Sequence, residues 1–322
     1  MRIIFMGSSQ FALPTLASID FDRHDIALVV TQPDRPKGRG KEMSPTPVKA
    51  EALRMDLPVI APQDVNAADV VQQIKGLKAD LAYVAAFGQR IGRELLSAFP
   101  AGIVNLHASL LPAWRGAAPI QRAVMNGDDE TGVTVFRLVE KMDAGPILIQ
   151  RRTAIGDIET ADELHERLSR IGCDAVRTTL ELLAKTPSAP GCAQDESSVT
   201  HARKLKKADG HICFDQTMAT LSHQICGLWS WPGATCRFVS SDSRRDEVVM
   251  LARARPYEGK SLPARSPDDC GRITDMLTMQ VADGEVEVLE IKPSGSALMD
   301  WRDFVNGRHV KSGDRFLPIE AA

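Results

Sequence analysis

The stretch Leu81-Ala82-Tyr83-Val84-Ala85 is an almost continuous apolar run. A strand of this kind is buried on both faces, which is typical of the inner strands of a parallel sheet covered by crossover helices. Similar short runs occur on either side of it and alternate with polar segments of helical length, so we expect an α/β domain with a Rossmann-like, mostly parallel sheet. The predicted strands cover residues 2–6, 25–31, 79–85, 102–106, 131–138 and 146–155, and the predicted helices cover residues 14–19, 48–55, 65–75 and 162–184.

The pattern changes after residue 185. The segment Lys185-Thr186-Pro187-Ser188-Ala189-Pro190-Gly191 interrupts the helical periodicity, because proline and glycine do not continue a helix. A helix is predicted over 218–228, with short strands at 234–239, 247–253, 269–277 and 284–291. This spacing predicts a small OB-like β-barrel, in which Trp229, Trp231 and Trp301 are expected to pack. The expected organisation is the α/β domain over 1–185, a linker over 186–204 and the barrel over 205–322.

The composition excludes several classes of protein. The 322 residues carry a formal net charge of −3, which gives no general nucleic-acid signature. No run approaches the roughly 18 apolar residues of a membrane span, and the apolar start is too short for a secretory signal. We therefore expect a cytoplasmic protein without membrane contact. The six cysteines contain no C-x-x-C pair, and neither a G-x-G-x-x-G fingerprint nor a P-loop follows the first predicted strand.

The segment Val104-Asn105-Leu106-His107 carries the first candidates for chemistry. Asn105 and His107 are two residues apart, so on a strand they lie on the same face. They come at the carboxyl end of a predicted parallel strand, where open α/β sheets bind their ligands. An amide donor beside an imidazole suits the stabilisation of an oxyanion. The alternative is a polar pair that closes the strand end by bonding to the backbone.

Asp143 is the third candidate, in a turn between two predicted strands. A carboxylate near His107 would favour the imidazolium form and fix the tautomer of the ring. The alternative is an aspartate that stabilises its own turn, which is common before glycine. Because the sequence provides no distance between the two side chains, both alternatives stay open.

Longer motifs surround these three residues. The Asn-x-His pair is followed by Ser109-Leu110-Leu111-Pro112-x-Trp114-Arg115-Gly116-Ala117-Ala118-Pro119-Ile120, and Met142-Asp143-x-Gly145 comes later. Phe87-Gly88-Gln89, Thr131-Gly132-Val133-Thr134 and Trp231-Pro232-Gly233-Ala234 extend the pattern along the chain. Together these motifs resemble the folate-dependent formyltransferase family. The likeness spans essentially the whole chain and is most specific over residues 105–120.

The resemblance implies transfer of a formyl group from 10-formyltetrahydrofolate to the α-amino group of initiator methionyl-tRNA. It implies that Asn105 and His107 stabilise an oxyanion and that Asp143 assists. It implies no metal, and we expect a monomer. The resemblance assigns the formyl-donor pocket to Phe87, Ser109, Leu110, Leu111 and Pro112. Two alternatives are a formyltransferase that acts on a nucleotide-linked amino sugar and a catalytically silent RNA-binding protein on the same scaffold.

Two local clusters of basic residues could bind RNA despite the nearly neutral chain. The first belongs to a Gly- and Pro-rich segment, 33–47, that we expect to be a flexible loop, and the second lies at the predicted domain junction. Either cluster could be an ordinary solvated surface. The resemblance instead implies that such cations contact phosphates of the tRNA. The predicted tRNA-binding residues are Arg39, Lys41, Lys204, Lys206 and Lys207.

Overall fold

The computed structural model describes residues 1–19, 22–37, 42–259, 263–264 and 266–319. The strands are β1 (Arg2–Gly7), β2 (Asp25–Val30), β3 (Arg35–Lys37), β4 (Glu42–Ser44), β5 (Val59–Ile60), β6 (Leu81–Ala85), β7 (Ile103–His107), β8 (Arg115–Gly116), β9 (Glu130–Arg137), β10 (Ile147–Ala154), β11 (His201–Ala202), β12 (Ala234–Val239), β13 (Asp246–Pro256), β14 (Met279–Val281), β15 (Gly284–Pro293), β16 (Met299–Asp300) and β17 (Arg315–Pro318). The α-helices are α1 (Leu13–Ala17), α2 (Pro47–Arg54), α3 (Ala68–Gly76), α4 (Arg93–Leu96), α5 (Pro119–Asn126), α6 (Ala161–Lys185), α7 (Met218–Leu228) and α8 (Trp301–Arg308).

The chain divides into two compact units, each assembled from several segments. The first comprises residues 1–116, 131–153 and 165–201, and the second comprises residues 117–130, 154–164 and 202–322. The domain limits expected from the sequence, with a linker over 186–204, stay a prediction. Within the described ranges no helix is long and apolar enough to cross a membrane.

The first unit is built on a seven-stranded sheet with the strand order β10-β9-β7-β6-β1-β2-β5. Neighbouring strands from β7 to β5 are parallel, and β9 runs antiparallel to β7. The mostly parallel, Rossmann-like sheet predicted from the sequence is confirmed.

The run Leu81–Ala85 forms β6, and all five of its residues are buried. β6 lies between β1 and β7 in the sheet. Its Tyr83 ring stacks on Phe5 of β1 with 5.8 Å between the ring centroids. Each large side chain buried here stabilises the fold by about 1.5–3 kcal/mol. The apolar run therefore forms the centre of the sheet, as its sequence predicts.

The loops after the parallel strands meet at one edge of the sheet, because parallel strands all end on the same side. The Ser8 hydroxyl donates to the Phe87 carbonyl at 2.9 Å and accepts the Gln32 backbone N–H at 3.0 Å. Ser8 thus joins the loops that follow β1, β2 and β6. His107, the last residue of β7, lies at this same edge.

The segment over residues 33–47 contains strands where the sequence predicted only a loop. β3 and β4 form a short antiparallel hairpin with Arg35 opposite Ser44, so the expectation of an irregular loop is wrong for the described part. Pro36 is tolerated because a two-stranded ribbon has only edge strands. Lys49 pairs with Asp34 at 2.7 Å near the base of the hairpin. The predicted tRNA-binding residues at positions 39 and 41 lie outside the described residues.

The second unit contains an antiparallel sheet with the order β14-β15-β13-β12-β17, and β16 pairs with β15. A bridge between Arg272 and Arg315 brings the segment before β14 against β17. The sheet therefore nearly closes on itself. The small OB-like barrel predicted from the sequence is confirmed as a nearly closed antiparallel barrel.

Aromatic side chains fill much of the barrel interior. Phe238 packs edge-on against Phe304 with 5.1 Å between ring centroids. Trp301 is 9% exposed, stacks on Phe304 and donates its indole N–H to the Leu277 carbonyl at 2.9 Å. Trp301 thus packs in the barrel as expected. The same expectation is wrong for Trp231, which is 54% exposed.

The strand predicted over residues 269–277 is also wrong. Gly271 has a φ of +84°, and a Cβ atom at this position would lie 2.2 Å from the Phe316 carbonyl oxygen. The chain turns here because only glycine fits this conformation and this close approach. The strand begins later, at Met279.

Candidate active site

β7 places Asn105 and His107 at the edge of the sheet where the loops meet. Their separation of two residues puts both side chains on one face of the strand. Asn105 is half-buried, in a strand whose other four residues are buried. Within the described part of the chain its side-chain amide makes no hydrogen bond. The alternative of a polar pair that bonds to the backbone therefore does not describe Asn105, whose N–H groups are free for a ligand.

The His107 ring is held by a backbone group. Its Nε2 lies 2.9 Å from the Trp114 carbonyl oxygen, and its side chain is 7% exposed. A carbonyl oxygen only accepts hydrogen bonds, so Nε2 carries a proton in this arrangement. The ring also packs edge-on against Phe136, with 6.5 Å between centroids. Nδ1 is therefore the ring nitrogen left to exchange a proton or to donate to a ligand.

Asp143 faces that second nitrogen. Its Oδ2 lies 3.9 Å from Nδ1 of His107, and its side chain is 13% exposed. The same Oδ2 accepts the Gly116 backbone N–H at 2.9 Å. The separation of 3.9 Å is too long for a hydrogen bond, so the tautomer of His107 is fixed by Trp114 and not, as expected, by Asp143. The carboxylate acts on the ring through charge.

The turn that carries Asp143 depends on close packing. Asp143 has a φ of +50°, a left-handed conformation in which aspartate is more readily accepted than most residues. Two residues later, a Cβ atom at Gly145 would lie 1.8 Å from the Arg137 carbonyl oxygen. The turn therefore requires glycine at 145, which keeps Asp143 at this place against His107.

The loop from Ser109 to Pro112 follows directly after His107. The Ser109 hydroxyl donates to the Ala113 carbonyl at 2.6 Å, so this hydroxyl is used within its own turn. Leu111 is buried, whereas Leu110 and Pro112 are half-buried. Phe87 is 2% exposed and packs in the hydrophobic cluster of the first unit, beside residues such as Ile91. The structure thus places Ser109 to Pro112 next to the catalytic candidates, and places the Phe87 ring within the core.

Two side chains that were not among the predicted site residues hold this loop. The Thr134 hydroxyl donates to the Ser109 carbonyl at 2.6 Å and accepts the Leu111 N–H at 3.1 Å. The Gln150 amide donates to the Leu111 carbonyl at 2.9 Å. Thr134 lies on the largely buried strand β9, and a polar residue on such a strand is a signal that could have marked it. Gln150 lies on β10, where it is half-buried. Gln150 carries no motif.

The basic residues Lys204, Lys206 and Lys207 lie in the second unit, around a short 3-10 turn over Lys207–Gly210. All three side chains are exposed. Over the residues with assigned positions, none of them takes part in an ion pair. Likewise, no group of three or more His, Cys, Asp or Glu side chains suited to a metal ion occurs in the described ranges.

Comparison with known proteins gives matches along the whole chain. Residues 1–180 match the family described as formyl transferase, and residues 204–309 match the formyl transferase C-terminal domain. Methionyl-tRNA formyltransferase from Symbiobacterium thermophilum is 39% identical, with 100% of this chain and 97% of that protein covered. Methionyl-tRNA formyltransferase from Methylobacterium sp. (strain 4-46) is 37% identical, with 98% and 99% covered.

A solved structure shows the same fold. The sugar 3N-formyl transferase WlaRD, in the presence of dTDP and 5-N-formyl-THF, matches with a TM-score of 0.62 and 14% identity. The match covers 92% of this chain and 99% of that chain. At this level of identity the likeness concerns the fold alone.

Proposed function

The chain belongs to the formyl transferase family, and we propose from this that it transfers a formyl group from 10-formyltetrahydrofolate to the α-amino group of initiator methionyl-tRNA. The choice of acceptor rests on the whole-length relationship, since the relatives that are 37–39% identical over at least 97% of their length are methionyl-tRNA formyltransferases. The reaction belongs to translation initiation. We propose that the protein acts in the cytoplasm as a monomer.

In the proposed reaction the α-amine attacks the formyl carbon of the donor. A C–N bond forms, and the carbonyl oxygen becomes an oxyanion. The free amide of Asn105 supplies one N–H to that oxygen. His107, as imidazolium, supplies a second N–H from Nδ1, because its Nε2 proton is held by Trp114. One such donor is worth about 10²–10³ in rate.

The proton balance involves Asp143. The attacking nitrogen becomes positively charged and loses one proton, which the Asp143 carboxylate accepts. The oxyanion then re-forms the carbonyl as the bond between the formyl carbon and N10 of the donor breaks, and N10 takes up the proton that Asp143 holds as tetrahydrofolate leaves. The acid–base groups return to their starting state. The 3.9 Å between Asp143 and His107 supports this division of roles. The carboxylate is near enough to stabilise the imidazolium by charge, and the Gly116 N–H and Nδ1 of His107 both lie on Oδ2, which leaves Oδ1 to accept the proton.

The donor pocket is proposed to include Phe87, Ser109, Leu110, Leu111 and Pro112. Thr134 and Gln150 support the Ser109–Pro112 loop, which makes it a rigid wall. The Ser109 hydroxyl bonds within its own turn, so Ser109 contributes shape and the half-buried Leu110 contributes apolar contact. The Phe87 ring is buried in the core. The proposed contribution of Phe87 to the donor pocket therefore comes from its backbone, which lies at the edge of the sheet where the loops meet.

The acceptor is proposed to contact Arg39, Lys41, Lys204, Lys206 and Lys207 through its phosphates. We add Trp231 to the lysines of this set that lie in the second unit. A Cβ atom on Gly210, at the end of the turn that contains Lys207, would lie 3.2 Å from Pro232, so the exposed Trp231 lies beside this turn. An exposed indole close in the fold to a turn that carries exposed lysines suits a nucleic acid, whose bases stack and whose phosphates bind cations.

One experiment tests the choice of acceptor. Purified protein is incubated with 10-formyltetrahydrofolate and either methionyl-initiator tRNA or a set of nucleotide-linked amino sugars, with uncharged tRNA as the control. We expect N-formylmethionyl-tRNA and no modified sugar, because the acceptor must present a free α-amine on the charged tRNA. Formylation of a sugar and not of the tRNA would overturn the proposed function. An inert protein that still binds tRNA would favour the catalytically silent alternative.

A further inference from the structure

Gln194 lies in the segment that follows α6 and contacts the turn that carries Asp143. Its amide nitrogen donates to the carbonyl oxygens of Asp143 and Gly145, each at 2.8 Å. Its amide oxygen accepts from Nε and Nη2 of Arg115 at 3.0 and 2.8 Å. Both amide protons and both oxygen lone pairs are used, so the orientation of the amide is determined by its partners.

Arg115 is the centre of the same set of contacts. Its side chain is 3% exposed and also pairs with Glu196 at 2.9 Å. A buried guanidinium is costly unless its N–H groups are satisfied, and Gln194 and Glu196 provide the acceptors. The backbone is held as well, because the Arg115 N–H donates to the Thr200 carbonyl at 2.9 Å.

The residues on either side of Arg115 hold the two catalytic candidates. The Trp114 carbonyl accepts from Nε2 of His107, and the Gly116 N–H donates to the Asp143 carboxylate. Gln194 therefore completes a ring of contacts. Its amide nitrogen donates to the Asp143 carbonyl. Its amide oxygen binds the side chain of Arg115, and the two neighbours of Arg115 in the chain supply the backbone groups that orient His107 and Asp143.

We propose that Gln194 is a positioning residue for the formyl transfer. It holds the carbonyl groups of Asp143 and Gly145, the first and third residues of this stretch of the turn. Asp143 has a φ of +50°, and a left-handed non-glycine residue persists only where its surroundings hold it. Gln194 thereby keeps the Asp143 carboxylate facing Nδ1 of His107. Gln194 itself does not touch the reacting atoms. The inference rests on the proposed function, because it concerns the geometry of that reaction.

A double-mutant cycle tests whether Gln194 acts through Asp143. The turnover number and the KM for 10-formyltetrahydrofolate are measured for the wild type, Gln194→Ala, Asp143→Ala and the double variant. Gln194→Ala is expected to lower kcat by about 10- to 100-fold, with the donor KM changed less than about twofold, because a small misplacement in an active site is costly. In the Asp143→Ala background the same substitution is expected to change kcat by less than about threefold.

Two further variants separate positioning from simple loss of structure. Gln194→Glu keeps the acceptor for Arg115 and loses both donated bonds, so it is expected to resemble Gln194→Ala in kcat. Gln216→Ala is the matched control in the barrel, since the Gln216 amide donates to the Cys213 carbonyl at 2.7 Å and to Gln224 at 2.9 Å. The control is expected to keep wild-type kcat. Thermal unfolding of each variant verifies that it folds.

The outcomes distinguish the inference from the proposed function. An equal loss of kcat in both backgrounds, or no loss in Gln194→Ala, would overturn the role of Gln194 and leave the reaction intact. A kcat of Gln194→Glu equal to that of the wild type would also overturn it, since the donated bonds would then be unnecessary. A wild-type protein that formylates no methionyl-tRNA would instead refute the proposed function.

Discussion

Replacement of Asp143 by asparagine isolates the charge of this side chain from its shape. The asparagine side-chain oxygen can still accept the Gly116 N–H that Asp143 accepts at 2.9 Å, so the turn is expected to keep its geometry. The substitution removes the proton acceptor of the proposed reaction and also the attraction between the carboxylate and the His107 imidazolium, 3.9 Å apart. At an effective dielectric constant of about 20 this attraction is about 4 kcal/mol. If half to all of it is realised in the transition state, kcat falls by roughly 30- to 1,000-fold.

The assay is the initial rate of methionyl-tRNA formylation over a pH range of about 5.5 to 9. We expect a lower kcat and a changed pH dependence, because the imidazolium loses the negative charge beside it. Asp80→Asn is the control, since Asp80 also accepts a single backbone N–H, from Arg2 at 2.7 Å, at the opposite edge of the sheet. An Asp143→Asn variant with kcat within threefold of wild type and a superimposable pH profile would reduce Asp143 to a turn residue.

Two further predictions concern stability and RNA binding. The hydrogen bond from Arg253 lowers the pKa of Glu163 to about 2, so its contribution is present above the unfolded pKa of about 4.5 and is lost as the pH falls toward 2. Glu163→Gln should therefore lower the free energy of unfolding by about 1 kcal/mol at pH 7, since the side chain is 49% exposed, and by less at pH 3 in urea titrations. A difference independent of pH would contradict this. Neutralising Lys206 and Lys207 should flatten the salt dependence of tRNA binding by about 0.7 to 0.9 per charge in log–log form, whereas Trp231→Ala should weaken binding by about 1–3 kcal/mol with the slope unchanged. Wild-type slopes in the lysine variants, measured by salt titration, would identify a solvated surface.

The fold could be predicted where burial leaves a clear pattern. The apolar run of β6 and the alternation of strands with helices were sufficient for the parallel sheet. The errors arose where local conformation decides the structure. Gly271 interrupts the segment 269–277, which looks like a strand in the sequence. Its positive φ and its close approach to Phe316 are properties of the packed barrel and could not be predicted. The hairpin of β3 and β4 was not predicted, because a proline such as Pro36 usually argues against a strand. It forms here because proline is tolerated in an edge strand.

The sequence was sufficient to predict the reactive side chains of the candidate site, but not the groups that hold those side chains in place. The spacing of Asn105 and His107 on a strand placed them together, but nothing in the sequence determines the distance from His107 to Asp143. The groups that orient these side chains are the Trp114 carbonyl and the Gly116 N–H. Almost every residue has both backbone groups, so the residue types at these positions do not indicate the contacts. Gln194 carries no motif either, since a glutamine in a polar segment is typical of an exposed surface.

The contacts of Arg115 also determine when a working site can exist during synthesis of the chain. The side chains proposed to do the chemistry are all made by residue 143, but Arg115 is 79 residues from Gln194 and 81 from Glu196. Closing a loop of this length costs about 4 kcal/mol in entropy, which the contacts at its ends must offset. A nascent chain that has reached only the end of α6 therefore contains every reacting group but lacks Gln194, Glu196 and Thr200, so we expect the contacts that hold Arg115 to form only after residue 200 has been synthesised.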